Sequence, residues 1–235
     1  MHIPDGLMSP EVWGIGLVLV LPLIAWAVIK VDRTMDERAT PLMAVLAAGI
    51  FVAQMLNFPI GGGTTGHLIG AALAVVLLGL PSAIVVMTVV LLIQGLVFGD
   101  GGLTALGLNL LNMAVVATFT AWVTLKLVPA KRRTLAIPLA AWISVFCAAS
   151  ACALELSLSY ALHPGQYGIT AWVAIPAMLI THAVIGVGEA VITGGVVIYL
   201  AKVAPGILRL NLERKDRTAT EASDAGTEEQ KEVPS

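Results

Sequence analysis

Long apolar runs alternate along this chain with short polar breaks, and most of the runs have the length of a helix that crosses a bilayer. About 20 apolar residues span the hydrocarbon core, with about 17–25 accommodated by tilt. The pattern predicts an all-α polytopic membrane protein of about seven transmembrane helices, at 11–29, 41–58, 66–80, 82–98, 103–127, 135–161 and 172–201. The third run is short and lies between a glycine-rich stretch and Pro81, so it is expected to be tilted or partly re-entrant. From Glu213 both charge signs mix without an apolar stripe, which predicts a disordered tail. The expected organisation is an extracytoplasmic segment at 1–10, a helical bundle at 11–208 and a cytoplasmic tail at 209–235.

The breaks test this topology. Alternate loops and the tail hold Lys30, Arg33, Arg38, Lys126, Lys131, Arg132, Arg133, Lys202, Arg209, Arg214, Lys215, Arg217 and Lys231, which are all 13 cations of the chain. By the positive-inside rule that face is cytoplasmic, so seven crossings place the N-terminus outside and the C-terminus inside. The opposite face has no cation but has Asp5, Glu11 and Asp100, with His2, His67 and His163 nearby. Such a surface favours cations.

Composition narrows the picture further. The chain is 58% hydrophobic and 12% charged, against about 25% charged in soluble domains. The net charge of −2 argues against a nucleic-acid partner. Cys147 and Cys152 are five apart in one apolar run, which fits buried thiols better than a CxxC pair. The start lacks the basic region and cleavage site of a signal peptide, so Met1 is expected to remain. Gly61–Gly66 has the glycines of a P-loop, but His67 and Leu68 stand where Lys and Ser/Thr are needed. ATP-driven work would therefore need another subunit.

The chemistry concentrates at the start, Met1-His2-Ile3-Pro4-Asp5-Gly6. The α-amine of Met1, the amide nitrogen of His2 and its imidazole Nδ1 can close fused five- and six-membered chelate rings. Using the amide nitrogen requires removing its proton, which Ni²⁺ or Cu²⁺ drives in square-planar geometry, whereas Mg²⁺ and Ca²⁺ prefer oxygen. One planar position stays open, and His67 can fill it. Pro4 and Asp5-Gly6 favour a turn over a helix there, and the glycine-rich loop suits a flexible gate. The plainer alternative is an ordinary histidine in a frayed terminus.

Polar residues inside the apolar runs are costly and usually have a role. Gln54 with Asn57, and Asn109 with Asn112, are spaced i, i+3, while His182 and Glu189 are spaced i, i+7 on one helical face. Glu155 lies deep in the sixth run. Interhelical packing accounts for these residues in general. Asp5, Gln54, Asn57, Gln94 and Asp100, towards the outer end, are candidates to support or gate the metal site. Asn109, Asn112, Glu155, His182 and Glu189 form a candidate buried polar network. Neither HExxH nor GxSxG occurs, so catalysis has little support.

Several stretches together resemble a known family. They are Met1-His-Ile-Pro-Asp-Gly6, Asn57 to Leu68, Gln94 to Gly107, Asn109 to Met113, Leu154-Glu155-Leu156 and His182 to Glu189. The chain resembles the substrate-binding (S) component, CbiM/NikM type, of energy-coupling factor transporters for cobalt and nickel. The resemblance implies capture of Ni²⁺ or Co²⁺ as substrate, with no catalytic cofactor, by the Met1 amine, His2 and His67. It also implies a transmembrane coupling (T) subunit, cytoplasmic ABC-type ATPase subunits and a small membrane subunit, here expected to be separate. Planar four-nitrogen donation favours nickel on geometry, although this start is shared by cobalt and nickel members. Two other readings compete. One is a self-sufficient proton-coupled permease using Glu155, His182 and Glu189. The other is an intramembrane metalloenzyme, for which four nitrogen donors leave no open position.

Overall fold

A computed structural model describes residues 1–35, 39–61, 63–129 and 133–207, with the backbone alone at 133 and 134. Arg38, Lys131, Arg132 and the tail at 209–235 lie outside the described residues. The chain divides into two units, residues 1–195 and residues 196–235. The first runs from the N-terminus into the last long helix. The second, as far as it is described, contains the final turns of that helix and the residues up to 207.

Helices follow the apolar runs: α1 (Pro10–Thr34), α2 (Ala39–Met55), α3 (Ala71–Leu78), α4 (Leu80–Phe98), α5 (Leu106–Leu127), α6 (Arg133–Leu162) and α7 (Ala171–Val203). Five of them, α1, α4, α5, α6 and α7, contain apolar stretches long enough to cross a membrane. α2 is apolar but has 17 residues, and α3 has only 8. Large apolar side chains such as Val18, Leu96, Leu154, Val184 and Val191 face outwards. Exposure on that scale would be a liability in water and is ordinary against lipid. The chain is a multi-pass membrane protein.

Local chemistry sets the helix ends. Pro10 and Pro81 occupy first turns, where a missing N–H costs nothing. Gly79, with φ 78°, breaks the chain between α3 and α4. α4 finishes in a wide π-turn at Gln94–Phe98, and α5 contains another at Leu111–Val116. Such turns give up regular helical geometry and are frequent at functional sites.

Two features depart from the all-α expectation. Phe58–Ile60 (β1) and Thr64–Gly66 (β2) pair antiparallel, in the register Phe58↔Gly66, Pro59↔Thr65 and Ile60↔Thr64. Part of the glycine-rich stretch read as a gate, Thr64–Gly66, is thus a strand of a small hairpin, whose β-branched Ile60, Thr64 and Thr65 suit extended backbone. The helix expected from residue 66 begins only at Ala71, because Gly70 is left-handed at φ 78°. Residues 67–70 form a non-helical link leading from β2 into α3.

Candidate functional site

Chain termini usually fray, but here the first three residues lie inside the fold. Met1 and Ile3 are fully buried and His2 is 3% exposed. Asn109, on α5, holds Ile3 in the manner of a paired strand. Its Oδ1 accepts the Ile3 N–H at 2.9 Å, and its Nδ2 donates to the Ile3 carbonyl at 3.2 Å. The Gly102 N–H also donates to that carbonyl, at 2.8 Å. Such close approach demands glycine, since a Cβ on Gly102 would overlap the backbone of Pro4 and Asp5. Beyond Pro4 the chain turns at Asp5-Gly6, with Gly6 at φ 79°.

The hairpin supplies the other wall. The Met1 amine donates to the Thr65 carbonyl and lies 3.2 Å from Thr65 Oγ1. The His2 amide N–H donates to the same hydroxyl at 3.1 Å, and His2 Nδ1 lies 3.5 Å from it. The three nitrogens expected to form one chelate thus surround a single oxygen. Residue 65 precedes His67 by two, the spacing that puts extended residues on one face. That spacing could have marked Thr65 as a site residue in the sequence.

Hydrogen bonds at the far ring atoms set both histidines. His2 Nε2 donates to Gln94 Oε1 at 3.1 Å, which leaves the Nδ1 lone pair facing Thr65 and Asp100. His67 Nδ1 donates to the Leu68 carbonyl at 2.7 Å, and its buried Nε2 has no partner among the described residues. The rings stack with centroids 4.6 Å apart. A bond at one ring nitrogen fixes the tautomer and frees the other as a ligand.

Burial also prepares the terminal groups. It pushes the Met1 amine down to about 5, opposed by the neighbouring Cys152 and Asp100 side chains. His2 is pushed down to about 3 by burial and by the nearby amine, against the Gln94 hydrogen bond. At neutral pH both are therefore uncharged and carry free lone pairs.

The other candidates take separate places. Asp100 Oδ1 lies 3.5 Å from His2 Nδ1, while its Oδ2 accepts from Asn57 Nδ2 at 2.8 Å. Burial raises the Asp100 carboxyl, against the terminal amine and Asn57. Asp5 bonds away from the histidines, accepting from Thr104 N at 2.7 Å and Thr104 Oγ1 at 2.6 Å, which lowers its carboxyl. Gln54 Nε2 donates to the Ile69 carbonyl at 2.6 Å. Of the five residues read as one buried network, Asn112 and Glu155 pair with each other and the other three bond elsewhere. Asn109 holds Ile3, and Asn112 Nδ2 donates to Glu155 Oε2 at 2.6 Å. His182 Nδ1 donates to its own helix at the Met178 carbonyl (2.8 Å), and Glu189 accepts from Ile69 N and Gly70 N. Cys147 and Cys152 are free thiols.

Among the described residues, no three His, Cys, Asp or Glu side chains group as a metal site. Two imidazoles together with main-chain nitrogens of residues 1 and 2 are a different kind of donor set.

Comparison with known proteins agrees with this architecture. Residues 2–207 match the CbiM model, described as the cobalt uptake substrate-specific transmembrane region. A protein of Haloquadratum walsbyi, named for metal transport, is 39% identical over 216 residues, covering 92% of this chain and 97% of its own length. The fused nickel transport protein NikMN of Rhodobacter capsulatus is 37% identical over 221 residues, covering 88% of this chain and 64% of that longer protein. A crystal structure of a truncated transition metal transporter superposes with a TM-score of 0.83 at 38% identity. It covers 86% of this chain and 99% of that one. The family match spans nearly all the described residues, and the chain belongs to the CbiM family of substrate-specific transmembrane regions.

Proposed function

We propose that this chain is the substrate-capture (S) component of an energy-coupling factor transporter that imports nickel or cobalt. The observation that carries the reading is the gathering of Met1 N, His2 N and His2 Nδ1 at 3.1–3.5 Å around Thr65 Oγ1, next to the unpartnered Nε2 of His67. An ion that replaces the hydroxyl at the centre of these nitrogens would draw them to about 2 Å. The Met1 amine needs no deprotonation at neutral pH, and the His2 amide proton leaves as the chelate closes. Planar four-nitrogen coordination favours Ni²⁺, while Cu²⁺ would bind at least as tightly by the Irving–Williams order.

Charge supports an outward-facing site. Asp5, Glu11 and Asp100 lie near the N-terminal segment, whereas Arg33, Lys126 and Lys202 occupy the last turns of α1, α5 and α7. On this reading α2 and the short α3, with its non-helical entry, complete seven passes, the N-terminus is outside and the C-terminus is cytoplasmic. The names of the relatives support nickel or cobalt as cargo. The partners are a transmembrane coupling subunit, ATPase subunits that hydrolyse ATP and a small membrane subunit.

Flux of ⁶³Ni²⁺ or ⁵⁷Co²⁺ into proteoliposomes tests the proposal. The chain alone should give none, and adding the coupling, small and ATPase subunits should give ATP-dependent uptake. Uptake by the chain alone under a proton gradient would replace this reading with the permease.

A further inference from the structure

We propose that Glu189, assisted by Gln54, is a positioning residue that aims His67 at the metal. The inference rests on the reading of His67 as a ligand. His67 stands where the hairpin has ended at Gly66 and α3 has not begun, so neither a ladder nor a helix fixes its backbone. Among the described residues, the only hydrogen bond of its side chain is to the adjacent Leu68 carbonyl. The direction of its Nε2 is thus set by residues 67–70.

α7 and α2 hold that link from across the sequence. Glu189 Oε2 accepts the Ile69 N–H at 2.8 Å and Oε1 accepts the Gly70 N–H at 2.5 Å, leaving neither carboxylate oxygen unpaired. Gln54 Nε2 donates to the Ile69 carbonyl at 2.6 Å. Ile50, one turn earlier on α2, closes over Gly70. Its Cγ1 lies 2.9 Å from where a Cβ would stand, so the left-handed turn has room only for glycine. Backbone groups outside regular structure need such partners in an apolar interior. Glu189 is 2% exposed and Gln54 is fully buried, so neither competes with water for these bonds. A carboxylate with both oxygens bound by amides is built to hold backbone. In metal sites, groups that orient a ligand without touching the ion typically change affinity by about 10–100-fold when removed.

Full-length protein, Glu189→Gln, His67→Ala and the double variant would be titrated with Ni²⁺ while the visible absorption of the bound ion is followed. Glu189→Gln should weaken binding by about 10–100-fold and move the spectrum towards that of His67→Ala. In the His67→Ala background the same change should cost less than about twofold. If Glu189→Gln keeps wild-type affinity and spectrum, or costs the same in both backgrounds, the positioning role is overturned. If His67→Ala itself leaves affinity and spectrum unchanged, the ligand reading beneath it fails instead. Should Glu189→Gln not fold, Glu189→Asp, which keeps the charge but draws the oxygens back by one methylene, decides by the same readouts.

Discussion

The N-terminal segment and the polar face of α7 each bury a histidine in apolar surroundings, and they leave it in different company. At the N-terminus, each imidazole bonds through the nitrogen facing away from the site, His2 to Gln94 and His67 to Leu68. His2 Nδ1 and the Met1 amine lie around Thr65 Oγ1, and the His67 ring stacks on that of His2. On α7, His182 also has an Nε2 without a partner among the described residues, but its Nδ1 bonds its own helix, and Glu189 is occupied by two amides. One unmet nitrogen makes no site. Several gathered together, with their tautomers fixed from behind, are what the proposed site would use.

Substitutions can break this contrast, beginning with the largest effect. On the proposed chelate, His67→Ala removes one of four donors. Dividing a metal-binding free energy of about 10–16 kcal/mol over four donors gives about 2.5–4 kcal/mol, a loss of about 70–900-fold in Ni²⁺ affinity. His182→Ala, which deletes an equally buried imidazole, should change affinity by less than about threefold if that nitrogen is no ligand. Calorimetry on both variants checks the pair, and equal losses would erase the distinction between the two regions.

Gln94→Leu should weaken Ni²⁺ binding by about 10–100-fold, because it frees the His2 ring and its tautomer without removing a donor. Competition against a chelator of known affinity measures it.

The pH dependence follows from the depressed Met1 amine, at about 5, and His2, at about 3. Between these values and neutrality both groups are already unprotonated, so closing the chelate releases only the amide proton. The logarithm of the Ni²⁺ affinity should rise with pH at a slope near one above about pH 6 and steepen below about 5, where the amine must also lose its proton. An ordinary terminal amine would give the steeper slope from about pH 8 downwards. The smallest effect belongs to Asp5→Asn. That site is exposed, and the new side chain still offers an oxygen to Thr104, so affinity should stay within about fivefold.

What the sequence disclosed depended on range. The five long spans were legible because hydrophobic length alone decides them, and the Asp5-Gly6 turn because its chemistry is local. Met1 and His2 could be singled out because the chelate rings are fixed by covalent connectivity, and His67 because it stands at the end of the glycine-rich stretch. Thr65 escaped notice because a threonine in a glycine-rich loop carries no charge, although its spacing to His67 was informative. Glu189 could be recognised as costly but not as a clamp, since Ile69 and Gly70 lie 120 and 119 residues away in sequence. The same holds for Gln54, read as a candidate to support or gate the metal site and bonded to the Ile69 carbonyl. The hairpin was hidden by glycines that favour no one structure, and the late start of α3 by an apolar run that continues through residues 68–70 while the backbone does not.

The central claim is that the α-amine of Met1 is a metal donor, and its burial makes the test direct. Ni²⁺ and Co²⁺ affinities would be measured on protein beginning at Met1 and on protein extended by Gly-Ser before it. The account predicts that the extension abolishes tight binding, by at least about a thousandfold, because it converts the amine to an amide and displaces a fully buried residue. Equal affinity for both forms would contradict it, and would move the search for the metal to residues such as His182 and Glu155.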